Sequence, residues 1–365
     1  MDKDHVKINV SDGVKVIPKK TDLKKLYIEL TTRCNFNCTT CIRNSWDEEI
    51  DHMSEKTLKT ILDQIDELPE LNTVHLGGFG EPSTHPSFFE VLETIKKHEL
   101  KAEFITNGHF LTAENSKKII DLGVDRIIIS VDAPEKETFE EIRLDSDFNQ
   151  LIKNINYINE LKKEARAKKP ELWIEFVAMK KNYEMLPTLV KMAGKYMIDS
   201  IIVTNLLPYT EDMINEVLYD TGEDELDIGS GGGLIYFKSK LPEMKLRTTR
   251  YCNFVESNSA VINRHGKVSP CYGFLHDHTE YIYGRKKINN KHYFGDVNKE
   301  KLKDIWQNDS YVKFRSLVKD QQFPSCTDCK YLEGCSMTDD NFLDCWGNSP
   351  TCADCLWYRG IIICP

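Results

Sequence analysis

Between residues 25 and 208 the chain alternates six times between a short apolar run and a longer stretch with apolar residues at helical spacing. The runs are 25–30, Thr73–Leu76, Ala102–Ile105, Arg126–Val131, Leu172–Val177 and Ile201–Val203. After Ser54, which is placed to start a helix, Leu58, Ile61, Leu62, Ile65 and Leu68 recur at three- and four-residue steps. Ser87–His98, Ala113–Leu122, Asp147–Glu164 and Glu184–Tyr196 read as further helices. Strands separated by helical crossovers pair in parallel, so this stretch predicts a β/α fold with a parallel sheet. Eight such units would close a full barrel. Ahead of it, residues 5–18 alternate around Ser11-Asp12-Gly13 and read as a small hairpin, within an extension spanning 1–22. Residues 209–248 are irregular and contain Gly229-Ser230-Gly231-Gly232-Gly233. That run lacks the Lys-Ser/Thr of a phosphate-binding loop and reads as a linker.

Charge and hydropathy narrow the function classes. The formal charge of −10 opposes sequence-independent binding to nucleic acid and argues against a tRNA-modifying role. It also opposes a polybasic membrane anchor. No stretch approaches the ~18 apolar residues of a membrane span, and Met1-Asp2-Lys3-Asp4-His5 is no signal core. The expected location is the cytoplasm, without nucleic acid or membrane as partner. Twelve cysteines in a reducing compartment point to metal or catalysis and not to disulfides.

Three of these cysteines follow the first predicted strand as Cys34-x3-Cys38-x2-Cys41. Three thiolates can hold three corners of a cubane iron–sulfur cluster and leave one iron open to a ligand. A structural zinc would need a fourth Cys or His, for which His52 is the nearest candidate. The array resembles the defining motif of the radical S-adenosylmethionine (SAM) enzymes, although the usual aromatic residue before the third cysteine is Thr40 here. The resemblance implies a partial (β/α)6 barrel over residues 23–208. It also implies a SAM-binding [4Fe–4S] cluster on Cys34, Cys38 and Cys41, with reductive cleavage of SAM to a 5′-deoxyadenosyl radical. A low-potential electron donor of ferredoxin or flavodoxin type and a host that shields the protein from oxygen follow from that chemistry.

Working groups of β/α barrels lie at the carboxyl ends of the strands. Gly77-Gly78-Phe79-Gly80-Glu81-Pro82 after the second strand looks like the family's GGEP motif, placing Gly77, Gly78, Gly80 and Glu81 at the SAM amino group. Asn107 ends the third strand within a Thr-Asn-Gly turn. Ser130 and Asp132 after the fourth look like the family's ribose-contacting pair, and Asp132 could equally cap the next helix. Arg143 stands where family members often place an arginine for the SAM carboxylate. Val177-Ala178-Met179 and Thr204-Asn205-Leu206 close the fifth and sixth strands.

The other nine cysteines all follow residue 250. Cys252-x13-Gly266-x4-Cys271 and Cys326-x2-Cys329-x5-Cys335 resemble the SPASM extension of radical SAM enzymes, which holds two auxiliary cubanes and would occupy 249–365. The family's next cysteine position is Asp339 here. Two fully ligated cubanes need eight thiolates. Cys252 and Cys271 go to the first and Cys326, Cys329 and Cys335 to the second. Cys345, Cys352, Cys355 and Cys364 supply the remainder, with one left over as a catalytic acid or a buried thiol. Paired spacing at Cys326/Cys329 and Cys352/Cys355 is also that of a zinc ribbon.

The segments around Cys252, Cys271 and Cys352–Trp357, with Cys364-Pro365, resemble the radical SAM maturases of tungsten-cofactor aldehyde oxidoreductases. That implies modification of such an oxidoreductase, its cofactor or a companion peptide. The alternatives are a peptide-modifying SPASM enzyme unconnected with tungsten (forming a thioether or carbon–carbon crosslink, or oxidising Ser or Cys) and a zinc-stabilised module with no chemistry.

Overall fold

The computed structural model describes residues 4–10, 13–219, 238–240 and 250–364. Ser11-Asp12 of the expected turn and the glycine run at 229–233 lie outside them. The N-terminal hairpin is present as β1 (His5–Val10) and β2 (Gly13–Pro18), paired from His5↔Pro18 to Val10↔Gly13.

The six expected parallel strands follow as β3 (Lys25–Ile28), β4 (Thr73–Leu76), β5 (Lys101–Thr106), β6 (Arg126–Ser130), β7 (Glu171–Ala178) and β8 (Ser200–Asn205). Each pairs in parallel with its sequence neighbour. The helices between them are α1 (Glu55–Leu62), α2 (Phe88–Lys97), α3 (Ala113–Asp121), α4 (Lys136–Ile142), α5 (Phe148–Glu164) and α6 (Leu186–Lys195). Local chemistry sets their starts. Ser54 accepts the Thr57 N–H at the head of α1, and Thr112 and Asp147 cap α3 and α5 in the same way. The predicted helix 184–196 begins as a 3-10 turn at Tyr183–Met185 and becomes α-helical where Pro187 enters the first turn. In α2, Phe88, Val91, Leu92 and Ile95 form one buried stripe against the sheet.

The sheet does not stop at six strands. Among the described residues it has ten, because β9 (Lys238–Lys240) pairs in parallel with β8 and β10 (Ser259–Ile262) pairs in parallel with β3. Beyond β10 come β11 (Lys267–Ser269) and β14 (Gly295–Asp296), both antiparallel. A separate hairpin joins β12 (His278–Ile282) to β13 (Arg285–Asn289). The cysteine-rich region thus grows directly on the first barrel strand. Neither β10 nor β11 was legible in the sequence, since Ser-Ala-Val-Ile is too short to announce a strand without its neighbour.

Three further helices, α7 (Asn253–Glu256), α8 (Leu302–Gln307) and α9 (Asp309–Lys319), bind this region to the barrel. Trp306 is fully buried, its indole N–H donates to Asp22 Oδ1 at 3.0 Å, and the Arg315 guanidinium lies 3.6 Å from its ring centroid. Val6 and Ile8 of the hairpin pack on Val312 of α9. No helix among the described residues is long and apolar enough to cross a membrane. Trp306→Ala removes a packed ring and orphans the Asp22 contact. Denaturant unfolding should show a loss of about 3–5 kcal/mol, the usual cost of truncating a buried Trp.

Candidate active site and cysteine groups

At the carboxyl ends of β3 to β8 lies a cavity of about 280 Å³, near the lower bound for small-molecule sites. Cys34, Cys38 and Cys41 line it. Their loop is pinned to the end of α4: the Asn37 N–H donates to the Leu144 carbonyl at 3.1 Å and the Thr39 N–H to that of Ile142 at 2.9 Å. Each sulfur accepts from a nearby N–H. The donors are the Phe36 amide to Cys34 at 3.4 Å, Arg143 Nη1 to Cys38 at 3.9 Å and Arg43 Nε to Cys41 at 3.3 Å. Burial pushes the Cys38 thiol up to about 11 even though the Arg143 guanidinium pulls it down. A cation beside two of three sulfurs is the environment that thiolate ligands of a metal cluster call for.

The glycine-rich loop after β4 passes along the same wall. Gly78 has a φ of +120°, and a Cβ there would lie 2.6 Å from Glu29 Cγ. At Gly80 a Cβ would lie 2.2 Å from the Thr31 carbonyl oxygen, so only glycine lets this loop run against the cysteine loop. Gly78 and Gly80 line the cavity, whereas Gly77 sits behind it, against the His75 ring and the Tyr272 hydroxyl. Glu81 is buried and fully engaged: it accepts from Thr106 Oγ1 at 2.9 Å, the Asn107 N–H at 2.7 Å and the Ser83 N–H at 3.2 Å. Its carboxylate therefore braces the loop against the end of β5 while the residue lines the cavity.

Asn107 lines the cavity and donates its side-chain N–H to Asn35 Oδ1 at 2.8 Å, beside Cys34. Ser130 lines it as well. Asp132 lies outside the cavity lining and does not cap α4, which starts after Glu135 without a side-chain cap. Asp132 accepts the Val177 N–H at 2.9 Å and pairs with Arg143 Nη2 at 2.8 Å. It is the anchor that holds Arg143 over the cysteine loop.

Sequence reasoning passed over several lining residues. Glu175, in the middle of an apolar strand, is one: burial pushes its carboxyl up to about 7, against the pull of Arg143. A charged residue inside Leu172–Val177 was the signal. His75 is fully buried with its Nδ1 3.7 Å from Glu103 Oε2, and burial lowers it to about 4. Tyr272, Trp357 and Cys364 reach the cavity from the cysteine-rich region.

Eight late cysteines fall into two groups. Cys252, Cys271, Cys352 and Cys355 line a second cavity, of about 50 Å³; burial raises each thiol, and neighbouring cysteines of the group add to this at Cys252, Cys271 and Cys352. Cys326, Cys329, Cys335 and Cys345 form the other, with Cys326 and Cys345 both acted on by Cys335. Cys364 is not in the lining of the second cavity and stands in the barrel cavity. All twelve cysteines are free of disulfides. Among the described residues no three His, Cys, Asp or Glu side chains converge to hold a single ion, as the ~2.3 Å Zn–S bonds of a zinc site would require. Thiols spread around a space, with buried polar atoms left unpaired beside it, fit a larger group.

Behind the glycine loop, His276 Nε2 contacts both oxygens of Glu29, at 3.0 and 2.8 Å, and its Nδ1 lies 3.5 Å from Glu48 Oε1. Burial would lower this histidine, but the two carboxylates prevail and raise it to about 9. Glu48 is lowered to about 2 by its bond to His276. A raised histidine contributes stability in full below its unfolded value of ~6.5 and loses it as pH rises through about 9. Melting temperature should therefore fall between pH 7 and 10, and H276Q should flatten that dependence.

The comparisons with known proteins agree with this layout. The Radical SAM superfamily matches residues 28–193, and SPASM, an iron–sulfur cluster-binding domain, matches 252–330. The chain is 38% identical over 353 residues to the tungsten-containing aldehyde ferredoxin oxidoreductase cofactor-modifying protein of Pyrococcus furiosus, covering 94% of this chain and 97% of that one. It is 23% identical over 318 residues to the mycofactocin maturase MftC of Mycobacterium tuberculosis, covering 84% and 75%. Among solved structures, Streptococcus suis SuiB bound to SAM superposes with a TM-score of 0.62 at 19% identity, covering 87% of this chain and 73% of that one. For anSMEcpe with bound SAM the TM-score is 0.56 at 17% identity, covering 92% and 95%. The chain belongs to the radical SAM superfamily, an enzyme of [4Fe–4S] clusters and SAM with a SPASM domain built onto its barrel sheet.

Proposed function

We propose that this enzyme matures a tungsten-cofactor oxidoreductase, acting on its protein chain, its cofactor or a companion peptide. The observation that carries the reading is the 38% identity across 97% of the Pyrococcus furiosus protein, whose name describes that task. Within it, Cys34, Cys38 and Cys41 hold the SAM-cleaving cluster. Cys252, Cys271, Cys352 and Cys355 hold one auxiliary cluster, and Cys326, Cys329, Cys335 and Cys345 the other. Residues 1–22 are an extension, 23–208 the barrel, 209–248 a linker that adds β9 to the barrel sheet, and 249–365 the auxiliary domain. When bound, the first cluster supplies an open iron for SAM and the electron that cleaves it.

The chain's own residues orient and enclose. The backbone around Gly78–Glu81 and the side chains of Asn107 and Ser130 contact SAM, and Arg143, held by Asp132, meets its carboxylate. The cavity wall from the cysteine-rich region excludes water and brings the substrate between the two halves. A ferredoxin- or flavodoxin-type protein supplies the electron. Twelve cysteines without a disulfide support a cytoplasmic setting.

Anaerobically reconstituted enzyme should hold about twelve irons per chain, four for each cubane. C34A should lose about four of them together with all SAM cleavage, and C352A about four with cleavage retained. Zinc without iron would overturn the assignment. Incubation with SAM, reductant and immature tungsten oxidoreductase should change the mass of its polypeptide, cofactor or companion peptide. No change there, with modification of an unrelated peptide, would favour a peptide-modifying enzyme instead.

A further inference from the structure

One wall of the barrel cavity is not supplied by the barrel. The segment 361–364 lies across the end of β8, where Asn205 Nδ2 donates to the Ile361 carbonyl at 3.0 Å and the Ile363 N–H donates to Thr204 Oγ1 at 2.9 Å. These two bonds deliver Cys364 to the cavity that Cys34, Cys38 and Cys41 also line. Trp357 Nε1 donates to its sulfur at 2.9 Å, fixing the side chain. The three cysteine groups take three, four and four thiols, and Cys364 is the one left.

Independent features of the same wall await a ligand. Asn205 is only 8% exposed, lines the cavity, and its Oδ1 has no hydrogen-bond partner among the described residues. An unpaired buried carbonyl costs about 1–3 kcal/mol, so a bound donor group is its natural complement. Glu175 lines the cavity too, and its charge acts on the Cys364 thiol.

We propose that Cys364 is a catalytic residue, the hydrogen-atom donor to the substrate carbon radical formed in this cavity. The proposal rests on the radical reading above. The S–H bond breaks homolytically, its hydrogen forms a new C–H bond on the substrate, and the sulfur keeps the unpaired electron. One electron from the low-potential reductant that SAM cleavage already requires, and one proton from the Glu175 carboxyl, restore the thiol. Glu175 regains its proton from water. An S–H bond is weaker than an aliphatic C–H bond, so transfer toward carbon runs downhill. A free thiol is protonated near neutral pH, as the step demands. The substrate carbon leaves with as many hydrogens as it brought, which makes the reaction an inversion or rearrangement at carbon and not a net oxidation.

Two measurements test this, and neither needs the substrate. In reconstituted enzyme, iron and sulfide of C364A and C364S should equal the unaltered protein's. Iodoacetamide followed by mass mapping should label Cys364 and none of the clustered cysteines. Loss of about four irons in C364A would overturn the proposal by making Cys364 a ligand. In D2O, with SAM and dithionite alone, a thiol that has exchanged to S–D should pass deuterium to the adenosyl carbon. The 5′-deoxyadenosine should then carry one deuterium with the unaltered enzyme and none with C364A or C364S. Unlabelled 5′-deoxyadenosine from the unaltered enzyme would overturn the role of Cys364 and leave the radical reading standing. No 5′-deoxyadenosine at all would overturn both.

Discussion

A single buried carboxylate joins the halves of this molecule. Glu29 follows the first barrel strand and is wholly out of solvent, where an unpaired charge would be severely unfavourable. It finds its partners in both halves of the chain: the Phe79 N–H of the glycine loop at 3.2 Å, the Arg264 N–H at 3.4 Å and the His276 ring at 2.8 Å. The glycine loop, the strand β10 to Arg264 and the loop before β12 all converge on it. Because breaking a buried pair leaves its partner uncompensated, these segments are held together or not at all. The pairing of β10 with β3 places Arg264 there, and continuity of the sheet is thereby converted into a fixed wall for the cavity.

That wall explains how one small cavity serves two halves of the chain. The barrel alone would present cysteines, glycine-loop backbone and Arg143 at an open mouth. The cysteine-rich region adds Tyr272, Trp357 and Cys364, and the auxiliary cavity of Cys252, Cys271, Cys352 and Cys355 lies behind Trp357, which lines both. Electrostatics divide the site as well. Cations sit at the cysteine loop, where Arg43 and Arg143 reach sulfurs. Elsewhere in the lining, burial raises the Glu175 carboxyl to about 7 and the Cys364 thiol to about 12.

The motif residues turned out to differ in kind. Gly78, Gly80, Glu81, Asn107, Ser130 and Arg143 line the cavity, but Glu81, like Asp132 outside the lining, spends its carboxylate on the protein itself. Spacing could not distinguish these uses, since a carboxylate at a strand end serves a ligand or a backbone N–H equally well. Glu175 and His75 escaped notice because each is a lone polar residue inside an apolar run, which reads as strand and nothing more.

The sequence by itself determined the six parallel strands, most of the helices between them and the three-cysteine loop, because periodicity and short cysteine spacing are local signals. It also determined that nine late cysteines exceed what two cubanes need. Only the tertiary structure decided that the barrel sheet continues through β10 into the cysteine-rich region, since a four-residue strand is specified by the neighbour it pairs with. Only the tertiary structure decided that Cys364 stands in the barrel cavity and not with Cys355. Cys355 and Cys364 are near neighbours in sequence, yet the turn at 357–360 and the bonds to Asn205 and Thr204 send one to the auxiliary cavity and the other to the barrel.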